Sequence, residues 1–324
     1  MKRGLSPALA TLLLLLTAMI WGLGFSAQKS AGELLGSFSI VCIRSAIAAV
    51  ALLLVVFLLS QRTERPLFFR RDGRICFDLA TRTEWVGGIL CGLSLAFASF
   101  LQQSGMNLGS TPGKASFITS LYIVFVPMLG LLYGRRTTLP VLFGVFAAVA
   151  GAFVLAFDFT GEEPLGFSVG DLLIFGCAIA YAVQIIVIDR YSPRTDGARM
   201  SMIQFAVCSL ATLPFSLAFE GETLFAADFG AAILPLLYLG VFSSGVGYTL
   251  QIVGQACVHP AVACSVLSLE SVFGLLGGML LHGDRLGLQE WLGSGVLFAA
   301  VIYTQLVAQG KKKGERNEAD EISL

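Results

Sequence analysis

The chain has 324 residues, 56% of them hydrophobic and only 13% charged, with a mean hydropathy of +0.81 and a formal net charge of zero. A soluble domain carries about 25% charged residues, so a water-soluble enzyme or nucleic-acid-binding protein is excluded. The zero balance names no polyelectrolyte partner, and no stretch outside the apolar segments is long enough to fold around a core of its own.

Ten apolar stretches follow one another at residues 8–27, 36–59, 84–105, 113–133, 139–157, 168–189, 199–219, 230–254, 260–281 and 288–308. Each is close to the ~20 apolar residues that a membrane-spanning helix needs. Only helices and closed barrels satisfy every backbone group inside hydrocarbon, and these stretches are too long and too evenly apolar for barrel strands. The predicted fold class is an all-α membrane protein of ten transmembrane helices in a lipid bilayer. The first stretch exceeds the 7–15 residue core of a signal peptide and reads as a retained span.

Charge placement sets the orientation. With the N-terminus inside, the cytoplasmic side receives Lys2, Arg3, Arg62, Arg65, Arg70, Arg71, Arg74, Arg82, Arg135, Arg136, Arg190, Arg194, Arg199, Lys311, Lys312, Lys313 and Arg316. That is seventeen basic residues against three outside, Lys29, Lys114 and Arg285. The positive-inside bias therefore places both termini in the cytoplasm of a multi-pass cell (inner) membrane protein. The expected outer loops around Glu162, Glu163, Glu220, Glu222 and Asp228 lack Lys and Arg.

The seven cysteines are dispersed without metal-ligand spacing, which leaves them as small packing residues. His259 and His282 have no second ligand nearby, so no metal and no cofactor are expected.

The two halves repeat each other. Gly134-Arg135-Arg136 closes the fourth span with Gly144 ten residues on, and Gly283-Asp284-Arg285 closes the ninth with Gly293 at the same interval. That register sets Ser116 against Ser265 and Thr119 against Ser268. In the earlier parts Ala18-Met19-Ile20-Trp21 lies against Ala178-Ile179-Ala180-Tyr181, and Arg44 against Gln204. Five spans per half is an odd number, so the second half is expected upside down relative to the first. The expected units are 1–157 and 158–310, five helices each, and a charged cytoplasmic tail, 311–324. Inverted repeats are a recurrent transporter architecture, with the substrate site near the midplane at the repeat interface.

The segments AMIWGLGFSAQKS from Ala18, FSIVCIR ending at Arg44, SFITSLYIVFVPMLG from Ser116 and PAVACSVLSLESVFGLLGGMLLHGDRLG from Pro260 resemble the ten-helix drug/metabolite transporter superfamily, EamA type. The likeness covers essentially the whole chain. It implies a 5+5 inverted-repeat carrier that moves small organic metabolites, often outward, through a central cavity. The chain departs from the family in two places. Members commonly carry Glu-Pro in the ninth span, where this chain has Glu270-Ser271, and Gly-Glu after the fourth and ninth spans, where it has Gly134-Arg135 and Gly283-Asp284. The ninth span thus lacks the proline that would break it.

Polar side chains at membrane depth must face protein, water or cargo. Ser244, Tyr248, Gln251 and Gln255 are spaced 4, 3 and 4 along the eighth span, which stacks them on one helical face. Such a stripe lines a cavity or serves as interhelical hydrogen-bond glue. Shorter stripes are Tyr181 with Gln184 in the sixth span, and Ser94, Ala98 and Gln102 in the third. Trp21 lies well inside the first span, to stack on cargo or fill the core, whereas Trp85 and Trp291 begin spans and suit the interfacial belt. Gly88/Gly92, Gly130/Gly134 and Gly274/Gly278 have the spacing that lets helices approach closely. Arg44 and Glu270 are the formal charges placed well within spans. At about 1.5 Å per residue their depths differ by only a few ångströms, so an ion pair is feasible; the alternatives are Arg44 snorkelling outward and a neutral, hydrogen-bonded Glu270, and a deep carboxyl of this kind could couple proton movement to cargo.

Rival classes fare poorly. An aspartyl protease needs two carboxylates in one site, and only Glu270 is deep. A serine nucleophile at Ser243 or Ser244 has only His259 as a base, about a dozen residues away, near the membrane surface. A receptor or scaffold lacks a sizeable external domain, and no Walker A sequence is present. The expected function is a secondary, non-enzymatic transporter of a small-molecule substrate. Cargo with phosphates would call for several cavity cations, so amino acids or amphipathic compounds are favoured; the resemblance implies export, and proton-coupled and facilitated transport are both open.

Overall fold

The computed structural model describes residues 5–60, 68–71, 74–77, 79–132, 134, 137–156, 168–282 and 287–322. Lys2, Arg3, Arg62, Arg65, Arg135, Arg136, Glu162, Glu163 and the Gly283-Asp284-Arg285 turn, on which part of the topology and repeat reading rests, lie outside the described residues.

Ten apolar helical segments are present among the described residues, eight long enough to cross a membrane and two shorter, Leu139–Val154 and Trp291–Thr304. Span 1 is Pro7–Gly32, span 2 Ser37–Ser60, span 3 Arg82–Asn107, span 5 Leu139–Ala156, span 6 Val169–Tyr191 and span 7 Gly197–Ala226. Span 10 begins a helix, Leu288–Ile322, that continues through the charged tail. The loop after span 2 holds an antiparallel hairpin, β1 (Phe68–Arg71) paired with β2 (Arg74–Phe77), that apolar periodicity did not signal.

Local chemistry fixes the helix starts. Ser6 caps span 1 and is followed by Pro7 at the first helical position, where a missing N–H costs nothing. Thr81 with Glu84 and Ser168 with Asp171 form reciprocal capping boxes at spans 3 and 6, and Asp196 caps span 7. These caps satisfy donors that a helix cannot serve itself.

Spans 4 and 9 are both broken. Span 4 runs Pro112–Ser120, then Tyr122–Leu132; span 9 runs Pro260–Leu267, then Glu270–His282. In span 4 the break precedes Pro127. Span 9 breaks without a proline, contrary to what its sequence leads one to expect. Two serines stand at the break: Ser265 Oγ donates to the Ala261 carbonyl at 2.9 Å and Ser268 Oγ to the Ser265 carbonyl at 2.8 Å. Such back-bonding competes with the helical ladder and bends it. The two breaks meet, with the Ser120 and Ser271 hydroxyls 3.1 Å apart.

Span 8 is composite: Phe229–Leu237, a π-helical stretch Tyr238–Gly247, and Tyr248–Gln255. The π stretch, with its i→i+5 bonding, begins three residues after Pro235, which lacks an N–H to give.

Helix packing interleaves the halves. Span 2 lies along span 7, span 5 along span 10, span 3 along spans 6 and 7, and span 1 along spans 8 and 9. In lipid these contacts rest on close approach, not on expulsion of apolar surface. A Cβ on Gly22 would lie 2.5 Å from the Glu270 carbonyl and 2.6 Å from Phe273 Cβ, so only glycine lets spans 1 and 9 meet there. Gly88 and Gly92 do the same for span 3 against span 7, where an added Cβ would meet Ile203 and the Gln204 carbonyl. Polar ties supplement this packing. Glu220 on span 7 accepts from the Phe38 and Ser39 backbone N–H groups (3.0 and 2.8 Å) and the Ser39 hydroxyl (2.8 Å), capping span 2. Further along the same pair, Ser45 Oγ reaches Cys208 Sγ at 3.2 Å. Trp85 and Trp291 face outward at span ends, as an interfacial belt requires.

Candidate functional site

A small cavity of about 30 Å³ lies inside the bundle, where both halves contribute. It is lined by Trp21, Phe25 and Gln28 of span 1, Arg44 of span 2, Gln102 of span 3, Thr119 and Tyr122 of span 4, Tyr181, Gln184 and Ile185 of span 6, Ser243, Tyr248 and Gln251 of span 8, and Glu270 of span 9. The volume holds no more than about three waters, too little for an organic cargo.

Two ionisable side chains of opposite type, Arg44 and Glu270, share the cavity, each held by hydroxyls. Arg44 donates from Nε to Ser244 Oγ at 3.1 Å and from Nη2 to Ser243 Oγ at 3.4 Å. Glu270, the first residue after the break in span 9, accepts from the Tyr122 hydroxyl at 3.3 Å. The ion pair judged feasible from depth is not formed. Arg44 is turned to the π-helical turn of span 8 and Glu270 to span 4, leaving space between them that both line.

The aromatic wall is built from both halves. The Trp21 and Tyr248 ring centroids are 4.5 Å apart, and Trp21 Nε1 donates to the Ser243 carbonyl at 3.0 Å. Tyr248 donates to the Tyr181 hydroxyl at 3.3 Å, which in turn lies 3.3 Å from the Ser99 hydroxyl. Gln102 Nε2 donates to Thr119 Oγ1 at 3.0 Å, and Gln184 Nε2 to Gln204 Oε1 at 3.2 Å. Gln28, Gln184 and Gln251 each keep a buried amide oxygen without a hydrogen-bond partner among the described residues. Buried acceptors of this kind are normally satisfied, so the cavity wall has room for donors.

The structure brings together Trp21, Arg44, Gln102, Tyr181, Gln184, Tyr248, Gln251 and Glu270, eight of the ten residues singled out from sequence. Ser244 and Gln255 are buried but do not line the cavity. Ser244 holds Arg44 from behind. Its place in the stripe rested on α-helical spacing, but residues 238–247 are wound as a π-helix, and it is Ser243 that lines the cavity with Tyr248. Gln255 is turned toward span 6, where Nε2 meets the Ile185 carbonyl at 3.4 Å. In the third-span stripe, Ser94 bonds its own Leu90 carbonyl and Ala98 is packed in the core.

Phe25, Gln28, Thr119, Tyr122, Ile185 and Ser243 are lining residues that sequence reasoning missed. Trp21, Phe25 and Gln28 repeat the 4, 3 spacing used for span 8, a usable signal. It was lost because the apolar run ends at Ala27 while the helix continues to Gly32. Among the described residues no cluster of His, Cys, Asp or Glu could hold a metal ion.

The profile of the EamA-like transporter family matches residues 8–157 and 168–305. A relative from Archaeoglobus fulgidus, described as an uncharacterized transporter, is 27% identical over an alignment of 311 residues that covers 94% of this chain and 88% of the relative. A crystal structure of a protein 17% identical in sequence superposes with a TM-score of 0.72 over 94% of this chain and 99% of the other, so the two share a fold.

Proposed function

The chain belongs to the EamA-like transporter family, and from that premise we propose that this membrane transporter is a secondary carrier, independent of ATP, that exports amino acids or amphipathic metabolites. It sits in the cell (inner) membrane as a 5+5 inverted repeat (1–157 and 158–310) with both termini and the 311–324 tail cytoplasmic. Two observations support the repeat: the family profile matches twice, and the packed span pairs are largely preserved when spans 1–5 are exchanged with spans 6–10.

The observation that carries the reading is the shared cavity of Arg44 and Glu270, each held by neutral hydroxyls and not by the other. A cargo with a carboxylate and an ammonium meets the Arg44 guanidinium at one end and the Glu270 carboxyl at the other. The unpartnered amide oxygens of Gln28, Gln184 and Gln251 suit N–H donors, and Trp21 and Tyr248 offer an apolar face. Phosphorylated cargo fits poorly, since among the described residues Arg44 is the one cation in the lining. Glu270 is the residue through which proton movement couples to cargo.

The test is uptake of radiolabelled amino acids and amphipathic amines by proteoliposomes, with and without a pH gradient. Accumulation that needs the protein and the gradient supports the reading. Protein-independent leak for every compound overturns it.

A further inference from the structure

A second hollow, about 480 Å³, opens at the opposite end of the bundle from the span 2 cap, beside the ends of spans 4 and 6 and the start of span 9. Its size lies within the ~300–1,000 Å³ of small-molecule sites. It is separate from the central cavity, with no lining residue in common. Its walls are apolar and include Leu90 of span 3, Leu129 of span 4, and Val183 and Val187 of span 6. Leu90 and Val183 are each 41% exposed on the outer face of the bundle, so the hollow is open toward the bilayer and not only toward water.

Arg190 and Arg194 stand where span 6 ends, and both line the hollow. Both side chains are exposed and have no hydrogen-bond or ion-pair partner among the described residues. Asp189 lines the same hollow, so among the described residues the lining is net positive by one charge. This end is the one that the charge bias assigns to the cytoplasm, where anionic lipids concentrate.

We infer that this hollow is a binding site for an anionic phospholipid, with an acyl chain along Leu90, Leu129, Val183 and Val187 and the phosphate held by Arg190 and Arg194. An apolar groove continuous with the lipid-facing surface and ending in guanidinium groups at the interface matches such a lipid at both ends. Basic pockets between transmembrane helices recognise headgroups in this way, and arginine suits phosphate geometrically.

The test is native mass spectrometry of the detergent-purified full chain titrated with phosphatidylglycerol, with phosphatidylcholine of the same acyl chains in parallel. Phosphatidylglycerol should bind more tightly, and the Arg190→Gln, Arg194→Gln double variant should lose about fivefold per arginine. The charge-matched Arg70→Gln, Arg74→Gln variant, altered in the hairpin, should keep wild-type binding. Val183→Trp fills the groove without touching the charges and should lower the occupancy of both lipids. Thermal melting of each variant shows that it is folded. Equal binding of the two lipids, retention of phosphatidylglycerol by the Arg190/Arg194 variant, equal loss in the hairpin variant, or full binding by Val183→Trp would each overturn the site. So would displacement by inorganic phosphate alone. None of these readouts involves transport, so the outcome is independent of what the central cavity carries.

Discussion

Arg44 and Ser244 meet across the interface of spans 2 and 8, Nε to Oγ at 3.1 Å, at a turn whose π-helical winding also presents the Ser243 hydroxyl to the same guanidinium. A buried cation held by neutral hydroxyls is aimed, not neutralised. Replacing both serines, Ser243→Ala with Ser244→Ala, removes its partners and should lower stability by about 1–3 kcal/mol, read as a fall in melting temperature in detergent. Arg44→Lys should not restore transport, because an ammonium cannot reach both hydroxyls as a planar fork does. Unchanged melting in the double variant would show that Arg44 finds other partners.

Gly22 sits 2.5 Å, by its absent Cβ, from the Glu270 carbonyl. Gly22→Ala must push span 9 away at its break, an overpacking that costs about 1–3 kcal/mol. Reduced recovery of monodisperse protein and loss of transport are both expected. A Gly22→Ala protein with wild-type melting and flux would mean that the two spans meet more loosely than described.

The cavity wall divides the eighth-span residues. Tyr248→Ala and Gln251→Ala should each cut transport per molecule by roughly tenfold, or ~1.4 kcal/mol, at near-normal membrane abundance. Gln255→Ala, whose amide is turned to the Ile185 carbonyl, should leave flux within about threefold of wild type, about the scale of one membrane hydrogen bond. If all three lose activity only in proportion to lost protein, the stripe is glue.

Glu270→Gln keeps the shape and the Tyr122 contact but fixes the group as neutral. Accumulation driven by a pH gradient should vanish while exchange of cargo for cargo persists, both measured in the same vesicles. A Glu270→Gln carrier that still concentrates cargo against its gradient would show that the carboxylate is structural.

Seventeen basic residues against three call for one orientation, with no dual topology. In intact cells, on a background without reactive cysteines, Glu222→Cys should react with an impermeant maleimide and Arg70→Cys should not. Labelling of both would overturn the assignment.

The spans were legible because apolar length is a strong signal, and most edges fall within a few residues of the helices observed. Span 1 and span 7 ran longer, to Gly32 and Ala226, because their last turns are polar or mixed and hydropathy does not see them. The polar lining was legible where α-helical spacing held, as for Tyr248 with Gln251. It was not legible where winding changed, since residues of ordinary character in sequence, Ser243 and Ser268, sit where the ladder shifts. Glu270 could be placed in depth from sequence, but its facing toward Tyr122 depends on two helix breaks whose phase no periodic rule carries across.

The grip of Glu220 on the start of span 2, together with the Ser45–Cys208 contact further along, ties together two helices that belong to different halves of the chain. Span 5 is joined to span 10 as well, by the Gln289 amide on the Val154 carbonyl at 2.7 Å. Mechanical partition therefore cuts across genetic partition. A motion that opens the cavity while these ties hold cannot swing residues 1–157 against residues 158–310, because that hinge line would run through both tied pairs. The pieces that move must each be a mosaic of the two halves, with spans 2 and 7 travelling as one strut and spans 5 and 10 as another.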